Sequence, residues 1–234
     1  MNPLNLPSEL PIARYRLHFT LRHDLQLPSY AASTLRGVFG HALLAAACTC
    51  DTPQTPHLPD CPYAQIFEPA PCADLPGSVR QSPPPPYLIE TPLVAPTHFP
   101  AGAGYAFDLV LFGRARHSLP LIAAVFAQAF AKGLGANNAG KGELGGIAVQ
   151  QADGSFLTIS ERGSPIALHD NHIRLPERYP AHAYIQLLTP LRIQQKGKIL
   201  RETELTQAVF LRQLLRRYLT LAHLHWGNNA NAAE

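Results

Sequence analysis

Charge is what this chain of 234 residues has little of: Asp, Glu, Lys and Arg together make 15% of it, and the formal balance is +3. So small a surplus excludes a ligand held by bulk basicity and leaves any nucleic-acid contact to local patches. Such patches exist, at Arg192, Lys196, Lys198 and Arg201 and again at Arg212, Arg216 and Arg217. No run approaches the ~18 consecutive apolar residues of a membrane span, so no membrane partner is predicted. No basic stretch followed by an apolar core opens the chain, which predicts a cytoplasmic protein without a secretory leader. Thiols stay reduced in that compartment, which argues against disulfides for Cys48, Cys50, Cys61 and Cys72. No CxxC pair occurs among them. The spacing GxxxxGK[ST] is missing too, since Lys141 is followed by Gly142, and a nucleotide-binding P-loop is rejected on that ground. Hydrophobic residues nonetheless make 46% of the chain, enough to bury the core of one large domain or two small ones.

The patterning that is present is clear. From Arg14 to Arg22, Tyr15, Leu17, Phe19 and Leu21 alternate with Arg14, Arg16, His18, Thr20 and Arg22. A period of two predicts a strand with one buried face and one polar, basic face. Pro28 ends it, and Ser29 or Ser33 is placed to cap a helix carrying Leu35, Val38, Phe39, Ala42, Leu43 and Ala46 at helical spacing. A proline-rich, irregular insertion follows over about 48–86. Short and longer strands are predicted at Tyr87 to Glu90 and Tyr105 to Phe112, then a helix from Leu119 to Ala131. A glycine-rich loop from Gly133 to Gly146 leads to a hairpin, Ile147 to Gln151 and Phe156 to Ile159, turning at Asp153-Gly154. The order β-α-β-β-α-β is the ferredoxin-like, or RRM-like, α+β signature and predicts a first domain over 1–167. Residues 168–180 read as a linker. A strand from Ala183 to Ile193 and a helix from Thr206 to Trp226 then predict a partial second unit of the same kind over 181–234.

Several residues carry candidate chemistry. His41 shares with Thr34 and Gly37 a helix face distinct from the Leu35/Phe39/Leu43 stripe. Imidazole can take or give a proton near neutrality, as cleavage at an RNA 2′-hydroxyl requires, but a solvent-facing helix histidine is the plainer reading. Tyr30 offers a phenol to orient that hydroxyl, or simply packs at the start of the helix. Arg36 offers a guanidinium for a phosphate, or a surface ion pair. The loop around Lys132 and Lys141 brings backbone N–H groups and charge close to a phosphate, or is a plain turn. Arg192, Lys196, Lys198, Arg212 and Arg216 are candidate RNA contacts, with an ordinary solvated face as the alternative. Cys48, Cys50, Cys61 and Cys72, with His57 among them, could gather around a tetrahedral metal. Their spacing favours free thiols, so no metal and no cofactor are predicted.

Read in order, the strand-like opening with Tyr15, Leu17 and Phe19, then Ser33 to Leu43, Cys61-Pro62-Tyr63-Ala64-Gln65-Ile66-Phe67-Glu68-Pro69, Pro84 to Glu90, Leu109 to Ala115 and the Gly133 to Gly146 loop carry a further signal. This ordered set resembles the RNA-processing endoribonucleases of CRISPR systems, the sixth Cas family of the RAMP superfamily. The resemblance implies a metal-independent endoribonuclease that binds CRISPR precursor RNA and cleaves within its repeats, leaving a 2′,3′-cyclic phosphate. It also implies His41 as the catalytic histidine and a glycine-rich loop lying close to the RNA. The family completes its second ferredoxin-like unit, and the expectation here is a chain lacking that C-terminal part, which puts functions of the missing loop in doubt. The alternatives are a non-catalytic RNA-binding subunit of an effector complex, with other Cas proteins as partners, and an interaction protein whose proline-rich insertion docks a partner.

Overall fold

The computed structural model of the chain describes residues 9–50, 57–58, 60–73, 82–93, 96–169, 172–174, 178, 182–189, 191–195 and 197–226. The alternation read from the sequence becomes strand β1, Ile12–Leu21. Ala13, Tyr15, Leu17, Phe19 and Leu21 point inward and are 3% exposed or less. Helix α1, Ala32–Ala47, follows; Ala31 takes its N-cap position with no side-chain bond, so neither Ser29 nor Ser33 caps it. The other elements of the domain are β2 (Tyr87–Glu90), β3 (Gly104–Phe112), a long helix (Leu119–Lys132), β4 (Gly142–Gln150) and β5 (Phe156–Glu161).

The five strands lie in the order β2-β3-β1-β4-β5, with every neighbouring pair antiparallel. Without β5 this is the ferredoxin-like arrangement, in which both helices cover one face. The protein is therefore α+β with a ferredoxin-like sheet, as the pattern predicts. Aromatic rings lock the helices to that face. Phe19 stacks on Phe130 at 3.7 Å between centroids, and Phe39 stacks on Phe126 at 4.8 Å and meets Tyr87 edge-on at 5.2 Å. Such pairs add about 0.5–1.5 kcal/mol each beyond the area they bury.

Three features depart from the sequence reading. The insertion is not wholly irregular: α2, Pro62–Ile66, buries Tyr63, Ala64 and Ile66 in the same core. We number the long helix Leu119–Lys132 as α3 accordingly. The glycine-rich loop is shorter than predicted, because β4 begins at Gly142 and pairs with β1 through Gly146. A side chain at Gly142 would come within 3.0 Å of the Thr20 carbonyl, so the close strand approach itself calls for glycine. The strand predicted from Ala183 to Ile193 is not formed at its described positions; a two-residue ladder, Gln194–Gln195 with Lys198–Ile199, is what forms there.

The last helix, α4 (Gln207–His225), forms as predicted. Its Leu221 packs with Val110, Phe112 and Ile12 on the sheet face that α1 and α3 leave open. That covers one end of the open face. At the other end, around Arg16, His18, Ala106 and Asp108, no helix among the described residues covers the sheet, and the candidate site lies there. No helix among the described residues is long and apolar enough to cross a membrane.

Candidate nucleic-acid interface

The uncovered end of the sheet is built by the polar half of β1. Cross-strand pairing sets its geometry: Arg16 lies between Asp108 and Ala148, and His18 between Ala106 and Gly146. Arg16 donates to Asp108 through two parallel bonds, Nε to Oδ1 at 2.7 Å and Nη2 to Oδ2 at 2.9 Å. Its guanidinium also lies 4.0 Å from the centre of the Phe156 ring. This bidentate pair raises the Arg16 pKa further, with burial opposing and the Asp108 charge assisting. Arg14 is held in the same way, Nε to Glu90 Oε2 at 2.9 Å and Nη1 to Gln150 Oε1 at 2.8 Å. Both arginines are thus paired with carboxylates, and the face is nearly charge-balanced.

His18 differs from both. Its flanking neighbours are an alanine and a glycine, so space opens on either side of the imidazole, and the β1–β4 register shifts at His18/Phe19. On one side lies a groove of about 890 Å³ lined by Arg16, His18, Ser29, Tyr30, Glu90 and Asp108 among others. On the other lies a smaller one of about 320 Å³, lined by His18, Gly145, Gly146, Thr158, Glu161 and Arg162. Partial burial of the ring against the sheet lowers the His18 pKa, the Arg16 charge lowers it further, and Asp108 works against both. A histidine below its ordinary value is neutral at pH 7, the form that accepts a proton. Arg162 adopts a left-handed backbone conformation, φ 45°, at the rim of the smaller groove. Its side chain has no carboxylate partner among the described residues.

The residues singled out from the sequence are distributed rather than gathered. Tyr30, 57% exposed, lines the larger groove with His18. Arg36 faces the other flank of α1, with Nε 3.4 Å from the Tyr87 hydroxyl and its guanidinium 5.2 Å from the Phe67 ring centre. His41 is exposed on α1 and lines none of the four grooves described. Lys132 is exposed at the end of α3, and the Lys141 carbonyl accepts the Arg22 and His23 N–H groups. Arg192, Lys198, Arg212 and Arg216 are exposed, whereas Lys196 lies outside the described residues.

His18 lines both grooves and is a candidate that the sequence pattern does not single out. In one dimension it is an ordinary polar member of an alternating strand; its setting comes from Ala106 and Gly146, which are remote in sequence. Among the cysteines, Cys72 stands apart, and His57 joins Cys48, Cys50 and Cys61 in one cluster. Burial would raise the Cys61 thiol, but the N–H groups of Ala64, Thr49 and Tyr63 outweigh it and hold the thiol at about 6.

No curated protein matches the chain. Among solved structures it is similar to a chain of the Csm3–Csm4 subcomplex in the type III-A CRISPR-Cas interference complex, at 14% identity. That superposition is loose, with a TM-score of 0.37 over 61% of this chain and 80% of the other, and the fold rests on the topology described above. The family model of the AF_1859 N-terminal domain matches residues 10–173, from β1 to just beyond β5, and the chain belongs to that family.

Proposed function

We propose that this protein binds CRISPR precursor RNA along the uncovered end of its sheet and cleaves it within the repeats without a metal in the reaction. The observation that carries this reading is His18, an imidazole held in its neutral form on a ridge between two grooves, with Arg162 at the rim. Neutral imidazole takes the proton of a 2′-hydroxyl, the 2′-oxygen attacks phosphorus, and the bond from phosphorus to the 5′-oxygen breaks. The leaving oxygen receives a proton, for which the Tyr30 phenol in the larger groove is our candidate. Arg162 offsets charge on the phosphate. The products are a 2′,3′-cyclic phosphate and a 5′-hydroxyl. The CRISPR setting is supported by the ordered sequence landmarks. That same resemblance keeps His41 as the rival base and leaves Arg36 for the phosphate.

The test is cleavage of a labelled repeat RNA without added divalent cations, by wild type, His18→Ala and His41→Ala, with binding followed by anisotropy. Loss of cleavage by roughly 10²–10⁴-fold in His18→Ala, with binding retained, is the expected result. Loss in His41→Ala alone moves the base to α1. Tight binding with no cleavage by any of the three makes the protein a non-catalytic RNA-binding subunit.

A further inference from the structure

A second site lies away from the sheet, where α1 ends and α2 begins. Cys48 is the residue that terminates α1, and Cys61 is the residue that precedes α2. With Cys50 and His57 they bring four ligand atoms, three Sγ and one Nδ1, within 4.8 Å of one another. Cys48 Sγ is 3.5 Å from His57 Nδ1, Cys50 Sγ is 3.3 Å from it, and Cys61 Sγ is 3.9 Å from Cys48 Sγ. A zinc ion with Zn–S of about 2.3 Å and Zn–N of about 2.0–2.1 Å sets tetrahedral edges of about 3.8 Å between sulfurs and about 3.5 Å between sulfur and nitrogen. These three spacings lie within about 0.2 Å of those edges, and the other three are at most 4.8 Å.

The surroundings suit such a centre. Cys61 is fully buried, and its three companions are half-buried. The Leu58 N–H donates to Cys50 Sγ at 3.4 Å, and the His57 ring packs on Tyr63 with centroids 4.8 Å apart. N–H donors on a ligand sulfur and packing that fixes a ligand ring are the usual outer support of a metal. Hydrophobic burial alone gives no reason for three sulfurs and a ring nitrogen to converge. Three thiolates and an imidazole are soft ligands, which argues against magnesium and calcium, and three cysteines with one histidine are one of the usual structural zinc sets.

We propose that Cys48, Cys50, His57 and Cys61 form a structural zinc site that fastens α2 to the end of α1. Four protein ligands leave no open position for substrate, so the role is structural rather than catalytic. What it fastens matters to α1, because α2 leads directly to Phe67, whose ring lies against Phe39 and under Arg36. The proposal stands independently of the RNA reading.

The experiment is the zinc content of the untagged full chain, purified under reducing conditions from zinc-supplemented cells, followed by replacement with Co²⁺. About one zinc per chain is expected, with cobalt giving the visible bands of a tetrahedral thiolate site. Cys72→Ser keeps both signals. His57→Ala weakens zinc by more than the ~100-fold that loss of an outer support costs. Cys61→Ser abolishes binding; because that thiol is buried, His57→Cys serves as the second variant, retaining zinc while shifting the cobalt spectrum toward four sulfurs. Zinc below about a tenth per chain in wild type, or loss of zinc on replacing Cys72, overturns the assignment.

Discussion

Helix α1 contains two interior glycines, and the structure assigns opposite signs to the same substitution at each. A Cβ built on Gly37 meets nothing within 4 Å. Gly37→Ala therefore acts through the backbone alone and should stabilise the protein by about 0.5–1 kcal/mol. A Cβ built on Gly40 lies 2.3 Å from Phe67 Cζ and 2.8 Å from each Cε. Ordinary carbon contacts are about 3.5–4.0 Å, so the ring would have to retreat by more than about 1 Å. Phe39, Tyr63 and Tyr87 hem it in at 6.0, 5.5 and 6.1 Å between centroids and Arg36 lies over it, so it can retreat only toward the groove of about 410 Å³ that it lines. Overpacking of this kind costs about 1–3 kcal/mol. Less the gain of about 0.5–1 kcal/mol in helix propensity, Gly40→Ala is expected to destabilise by about 1 kcal/mol, within a span of about 0–2.5 kcal/mol. For a protein of this length each kcal/mol shifts the melting midpoint by about 2–4 °C, so the two variants should melt on opposite sides of wild type. Calorimetry at matched zinc content reads this directly. If Gly40→Ala melts at or above wild type, Phe67 does not rest on α1 and the packing of α2 argued above is wrong.

Two further predictions concern charge. Asp108→Ala releases Arg16 from its bidentate partner, and log affinity for single-stranded RNA should then steepen against log salt by about 0.7; an unchanged slope would mean that Arg16 does not face the bound strand. His225 has its pKa lowered by burial first and by Arg217 and Arg114, while its bond from Nε2 to the Pro84 carbonyl opposes them. A depressed folded value leaves its contribution whole above the unfolded pKa of about 6.5 and lost as pH falls through the folded one. Melting midpoints of wild type should therefore drop more steeply than those of His225→Gln below that pH, and parallel curves would remove His225 as the cause.

Most of the first domain is legible in the sequence because its signals are local. The alternation of β1 and the apolar spacing of α1 and α3 identify those elements without reference to one another. What escapes reading depends on distant partners. The five residues of α2 span little more than one helical turn, too few to show a period, and core burial rather than propensity holds them. Residues 142–146 carry three glycines and no strand preference, yet β1 pairs with them on one side and β5 begins to pair on the other. Conversely, Tyr184, Ile185, Leu187 and Leu188 have strand-forming side chains but are all more than half exposed. Without a neighbouring ladder, β propensity alone forms no strand. The α4 stripe was equally readable, but Leu214 and Leu215 remain about half exposed while Leu221 and Ala222 are buried. Amphipathic spacing identifies a helix, not what covers it.

The pairing of Arg14 and Arg16 decides how the proposed RNA would lie. A phosphate that recruited Arg16 would leave Asp108, whose side chain is 17% exposed, without its partner. Stranding a largely desolvated carboxylate costs more than a solvent-exposed phosphate contact returns. Arg16 therefore stays on Asp108, where it holds the Phe156 ring, and together they present a flat surface suited to a nucleobase rather than to a phosphate. Backbone charge falls instead to the rim, at Arg162 beside Gly145 and Gly146, where the missing side chains let a strand approach. Bases inward and phosphates at the rim bring the sugar edge toward the ridge between the two grooves. His18 occupies that ridge, which is where a base for the 2′-hydroxyl has to stand.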